Sequence, residues 1–240
     1  MTQYTRAVQY TPFQEPSFQT VFSRQFFKSK QDNQLKISGK LKNWGTMEFP
    51  PEKPSERLLK AKSALKDKGY AFSSSKKMCQ LTLDGAIQED SKFVFEVKKD
   101  DREFNQKNYE ELGDIITEFV YGLLESTPMC LKRKEIPPAG PKTDQSTTRS
   151  FVYVSDNFTG IKKLRRTLWF KITEFVYGLL ESSKLCVIIH GSGVVRAGQW
   201  ARRLIMNEDL VVGTAIPEIL MAMKKGYGIL VMNTNDNTRY

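Results

Sequence analysis

Three short runs nearly free of polar side chains, residues 151–154 (FVYV), 185–190 (LCVIIH) and 228–232 (GILVM), limit the fold more than any other feature. Each is β-branched, continuous and too short for a helix, which is the pattern of strands inside a sheet covered on both faces. Between the last two, AGQWARRLIMNED and IPEILMAMKKGYG carry helical spacing, with Pro217 in a first turn and Gly226 placed to cap the end. Strand, helix, strand predicts an α/β architecture with right-handed crossovers. Apolar residues at 40% and charged residues at 27% suffice for such a core, and exclude fibrous and fully disordered chains.

Upstream, GYAF, QLTLDGAI and SKFVFEVKKDD alternate apolar and polar residues, as edge or hairpin strands do. The segment FNQKNYEELGDIITEFVYGLLEST then places Tyr109, Leu112, Ile115, Ile116, Phe119, Val120, Leu123 and Leu124 on one helical face. Gly113 and Gly122 each weaken that helix by about 1 kcal/mol relative to alanine, so docking has to stabilise it. A loop is expected from 127 to 150. Residues 1–68 read as a poorly structured, flexible leader with scattered phenylalanines, in which 55–68 (SERLLKAKSALKDK) can form a short helix capped by Ser55. The domain proper is expected over 69–240.

An eleven-residue string, ITEFVYGLLES, occurs at 116–126 and again, without change, at 172–182. Solenoid repeats diverge and come in larger arrays, so a recent duplication or a misassembled reading frame explains this isolated pair. Residues 165–185 therefore read as an insert duplicating 116–126. The expected cost is a packing conflict, the second copy either competing with the first for its groove or presenting Trp169, Phe170, Phe175 and Leu179 to solvent.

Function classes narrow by elimination. Only one histidine, His190, is present, so schemes built on several histidines are out. Cys79, Cys130 and Cys186 lie far apart, giving neither a C-x-x-C pair nor a disulfide framework, and no metal or cofactor is expected. The first thirty residues lack a signal-like apolar run, and no stretch approaches the length of a membrane span. The net charge of +10 reads as a solvated basic surface; direct nucleic-acid binding through Arg165, Arg166, Arg202, Arg203, Lys224 and Lys225 lacks any module signature.

The densest chemical signal is LCVIIHGSGVVRAGQWARRLI, a strand, a glycine turn and a helix. Gly191, Gly193 and Gly198 miss the G-x-G-x-x-G spacing at Arg196, and Gln199 breaks a phosphate-loop reading. H-G-x-G after a strand instead matches the oxyanion-loop position of α/β-hydrolases. His190 itself reads as a loop histidine bracing that turn. Asp209, Glu208 and Glu218 read as ordinary helix-terminus and surface charges.

IIHGSGVVRAGQWARRLIMNEDL and GTAIPEILMAMKKGYGILVMN, with SKFVFEVKKDDREFNQKNYEELGDIITEFVYGLLE upstream, resemble the argonaute-binding-protein-two (Arb-two) domain family and its metazoan cotranscriptional splicing regulators. The resemblance runs from about Gly69 to Asn233, apart from 165–185. It implies an incomplete α/β-hydrolase-like sheet with flanking helices, in nuclear or cytoplasmic adaptors that associate with argonaute and chromatin proteins and regulate alternative splicing. No G-x-S-x-G occurs and no histidine follows His190, so a triad is lacking. The chain thus looks like a truncated, pseudogene-derived, non-catalytic member that keeps His190, Gly191, Ser192 and Gly193 as the remnant of an oxyanion-type loop. The alternative is a serine hydrolase using that turn, with Ser192 as nucleophile.

Overall fold

A computed structural model describes residues 51–137, 149–157 and 184–236. Helix α1 (Glu56–Asp67) starts where the capping pattern predicts: the Ser55 hydroxyl accepts from the Leu58 N–H at 3.2 Å. The same hydroxyl donates to the Gly122 carbonyl at 2.8 Å, and the Ser55 N–H donates to the Ser126 hydroxyl at 2.9 Å. One serine therefore both caps α1 and ties it to the end of the long helix α2 (Arg102–Glu125). Leu58, Ala61 and Leu65 are buried against α2, which corrects the expectation of a flexible leader through residue 68: the core already begins in α1.

The two glycines that weaken α2 locally are what permit this packing. A side chain at Gly122 would stand 2.5 Å from the Leu58 backbone, and one at Gly113 would stand 2.3 Å from the Arg202 guanidinium. Backbone and a buried cation occupy the space a Cβ would need, so helix propensity is given up for close approach. Phe119, Val120, Tyr121, Leu123 and Leu124 are all buried, so the C-terminal half of α2 is covered nearly all round.

A small antiparallel pair, β1 (Tyr70–Phe72) and β2 (Met78–Gln80), packs on α2 through Phe72, whose ring lies 4.5 Å from that of Phe119. Two segments depart from expectation. Residues 91–101 form no strand; Phe93 packs on Tyr70 and Tyr109, while Val94, Phe95 and Val97 are exposed, because alternation makes a strand only where a neighbouring edge offers partners. The loop expected from 127 to 150 contains instead β3 (Lys132–Ile136), antiparallel to β4 (Ser150–Val154). Its sequence, KRKEI, hides this: an edge strand held by backbone bonds needs no apolar pattern, and its charges guard the sheet.

The main sheet runs β3-β4-β6-β5, where β5 is Leu185–Ile188 and β6 is Gly228–Met232. β4 is antiparallel to β6, and β5 is parallel to β6, so the sheet is mixed. Between β5 and β6 come α3 (Arg202–Asn207), α4 (Leu210–Gly213) and α5 (Ile216–Lys224), shorter than the helix expected over 197–209 because residues 197–200 form a turn. Gly226 follows α5 with φ +77°, as the capping expectation requires. β5, expected as a central strand, is an edge among the described strands; Val187 and Ile189 are exposed there.

One sheet face (Phe151, Tyr153, Ile188, Ile229, Val231) joins the apolar residues of all the described helices in a single core. The opposite face gathers Val152, Val154 and Leu230, fringed by Ile136, Leu185 and Met232. The second copy of the repeat, at 172–182, and most of the expected insert lie outside the described residues.

Candidate functional site

The glycine turn leaves the carboxyl end of β5, beside the carboxyl end of its parallel neighbour β6. Gly191, Ser192, Gly193 and Val194 are exposed, with Gly193 at φ +112°, and among the described residues the amides of 191–194 donate to no backbone carbonyl. The segment that follows is fixed tightly. The buried Gln199 side chain donates to the Thr117 hydroxyl of α2 at 3.0 Å and accepts from the Arg196 N–H at 3.2 Å. Just past β6, the Asn233 carboxamide accepts from the Ala197 N–H at 3.0 Å. Asn235 donates to the carbonyls of Gly191 and Val195 at 2.8 and 3.0 Å, clamping both ends of the turn.

Arg202 adds a third anchor. Its side chain is buried, passes over Gly113 of α2 and donates to the Val194 carbonyl at 3.3 Å, with Asp114 at 3.6 Å as counter-ion. This removes Arg202 from the basic residues expected to be free for a polyanion, whereas Arg203, Lys224 and Lys225 are exposed and Arg165 and Arg166 lie outside the described residues. Asp209 caps α4 by accepting from the Val212 N–H, and Glu208 closes α3, the terminal roles their positions suggest.

His190 is 5% exposed. Its Nδ1 lies 2.9 Å from the Gly191 carbonyl. The Asn235 amide nitrogen, 3.3 Å from the same Nδ1, donates to the Gly191 and Val195 carbonyls; since a carbonyl only accepts, the Gly191 contact is made by the tautomer with its proton on Nδ1, in which Nε2 is a bare acceptor. Nε2 is sealed from solvent and has no hydrogen-bond partner. A general base must reach the proton it takes, and here the lone pair points into protein while Ser192 stands on the exposed turn. The histidine braces its own loop. Among its anchors Thr117, Asn233 and Asn235 carry no motif, and Gln199 and Arg202 stand inside the glycine-loop segment without any sequence signature of an anchoring role.

Burial holds the His190 imidazole below the ordinary histidine range, partly opposed by the Gly191 carbonyl and the Asn233 side chain. The unfolded chain therefore takes up a proton from about pH 6.5 downward while the folded chain does not. Stability from this residue is complete above about pH 6.5 and is lost as the pH falls toward the folded value, at up to about 1.4 kcal/mol per pH unit. Thermal melts between pH 7.5 and 5 should show wild type losing stability faster than His190→Gln; parallel curves would refute the assignment.

A shallow groove between α1 and α2 is lined by Glu56, Arg57, Lys60, Asp114, Ile115 and Glu118. Arg57 pairs with Glu118 and with Glu125, which also accepts from the Tyr153 hydroxyl at 2.8 Å, so these charges join the helices to the sheet. Among the described residues no group of three or more His, Cys, Asp or Glu could hold a metal ion, and no helix is long and apolar enough to cross a membrane.

Comparison with known proteins bears on the turn directly. The Arb2 domain model matches residues 177–240. Over 146 residues, 60% of this chain, the sequence is 47% identical to cotranscriptional regulator ARB2A of Mus musculus and 45% identical to that of Homo sapiens; the match takes in 29% of each. A FAM172 family protein homolog of Caenorhabditis elegans is 44% identical over 151 residues, 62% of this chain and 41% of the relative. The matches thus take in well under half the length of these relatives. The Arb-two resemblance read from the sequence holds. No solved structure matches.

Proposed function

We propose that this chain is a non-catalytic, Arb2-related regulator that acts in the nucleus as an adaptor in cotranscriptional control of alternative splicing, with argonaute and chromatin-associated proteins as partners. The observation that carries the reading is its 45–47% identity, across 60% of the chain, to proteins named as cotranscriptional regulators. The geometry of the turn agrees: the lone histidine is spent on its own loop, and its sealed Nε2 is not offered to Ser192 on the exposed turn.

An α/β-hydrolase-like ancestry is supported by where the turn sits. In the main sheet β5 is the third strand in chain order, and the H-G-S-G run lies between it and the next helical segment. That is the position from which α/β-hydrolases supply an oxyanion-hole amide. His190, Gly191, Ser192 and Gly193 accordingly read as the remnant of an oxyanion-type loop that now serves as a rigid, exposed turn.

Two measurements test the proposal. The full chain should capture purified argonaute, and loss of that capture would remove the adaptor role. A fluorophosphonate probe should leave Ser192 unlabelled; labelling abolished by Ser192→Ala would replace the regulator with a serine hydrolase.

A further inference from the structure

β5 has β6 on one side and no described strand on the other. Its register sets Leu185 beside Gly228 and Val187 beside Leu230, and the Gly228 N–H donates to the Lys184 carbonyl at 2.9 Å. Backbone groups alternate in direction along a strand, so Cys186 and Ile188 turn theirs toward β6, while Leu185 and Val187 turn theirs outward. Among the described residues, these outward groups make no hydrogen bond to backbone. The side chains here are open as well, with Val187 36% and Ile189 50% exposed.

Proteins that keep a sheet edge to themselves guard it with charge, proline or a bulge. β3 follows that rule with Lys132, Arg133 and Lys134. β5 does not: from Leu185 to Val195 the sequence holds no Asp, Glu, Lys, Arg or Pro. We propose that β5 pairs with β5 of a second copy of this chain, antiparallel about a two-fold axis at Val187.

Charge and geometry select this occupant. A chain of net charge +10 repels its own copy, so two copies can meet closely only along a stretch that presents no charge, and 185–195 is such a stretch. An acidic partner, by contrast, finds no cation there to hold it. An antiparallel pair centred on Val187 sets Val187 opposite Val187 and Leu185 opposite Ile189, so the outward N–H and C=O groups of each strand meet those of the other. Both cross-strand pairs are aliphatic, which such pairing favours. The axis stands normal to the sheet, so the two aliphatic rows lie side by side on one face and shield the exposed Val187 and Ile189. The same arrangement at β3 would set cation against cation.

The test uses the full chain. Sedimentation velocity should show monomer and dimer in exchange, with a dissociation constant on the order of 10 μM, as fits a small contact. Added salt should tighten the pair, because it screens the repulsion between two cationic copies. Val187→Lys sets two ammonium groups face to face and should weaken pairing about tenfold or more. Its melting temperature in dilute solution should be that of wild type, since Val187 is already exposed. Exposed Cys130 is first replaced by serine, so that it forms no cross-link of its own. In that background Val187→Cys should give a disulfide-linked dimer on mild oxidation, because opposed residues of a hydrogen-bonded antiparallel pair stand about 5.5 Å apart at Cα. Val194→Cys, exposed but beyond the paired stretch, should not. A chain that stays monomeric at about 200 μM, well above that constant, overturns the proposal. So does a dimer that Val187→Lys leaves intact, or one in which Val187→Cys cross-links no better than Val194→Cys.

Discussion

Phe119→Ala should destabilise the full chain by about 3–5 kcal/mol, the range for deleting a fully buried aromatic. Phe119 is 1% exposed and stands at the junction of α2 with the β1–β2 pair, 4.5 Å from the Phe72 ring. Truncation would leave a cavity that α2 cannot collapse into, because Gly122 already holds it at closest approach to α1. Denaturant titration measures the loss. Hydrogen exchange should show Tyr70–Phe72 loosening before the main sheet, and a cycle with Phe72→Ala should return about 0.5–1.5 kcal/mol of ring coupling. A loss below 1 kcal/mol would mean that the ring does not join these layers.

Gly122→Ala should cost about 2 kcal/mol net. Alone in water the change would favour the helix by about 1 kcal/mol. Here the new methyl lies 2.5 Å from the Leu58 Cα and N and 2.8 Å from its Cβ. Backbone cannot swing aside as a flexible side chain can, so α1 must move away from α2, an overpacking penalty at or above the usual 1–3 kcal/mol. The Ser55 bonds to Gly122 and Ser126 would stretch with it. A fall in melting temperature of about 4–8 °C is expected. The repeat supplies a matched control, since Gly178 has the same neighbours in sequence; Gly178→Ala should cost less, because α1 packs on the first copy.

What could be read in the sequence divides along physical lines. α2 was legible because a long amphipathic helix repeats one signal many times, and the capping serine of α1 because a cap is local chemistry. That α1 belongs to the core was not, since it depends on Gly122, whose only visible property in sequence is weak helix propensity. β3 was hidden because its pairing to β4 is made by backbone under side chains chosen for solvent. Residues 91–101 misled for the converse reason: they alternate without a neighbour to pair with. The glycine turn was legible as H-G-S-G, and the bracing role of His190 followed from the absence of a second histidine. Its anchors were not, because Gln199, Asn233 and Asn235 are single polar residues brought together only by the parallel pairing of β5 and β6.

The two borders of the main sheet differ in kind. β3 presents Lys132, Arg133 and Lys134, while β5 presents Leu185, Cys186, Val187 and Ile188 and has no neighbour on its outer side among the described strands. A sheet with two adhesive borders can grow without end, whereas one with a single adhesive border saturates as soon as that border meets its equal. Crowding this chain should therefore yield at most closed pairs joined border to border, and the lysines of β3 set that ceiling.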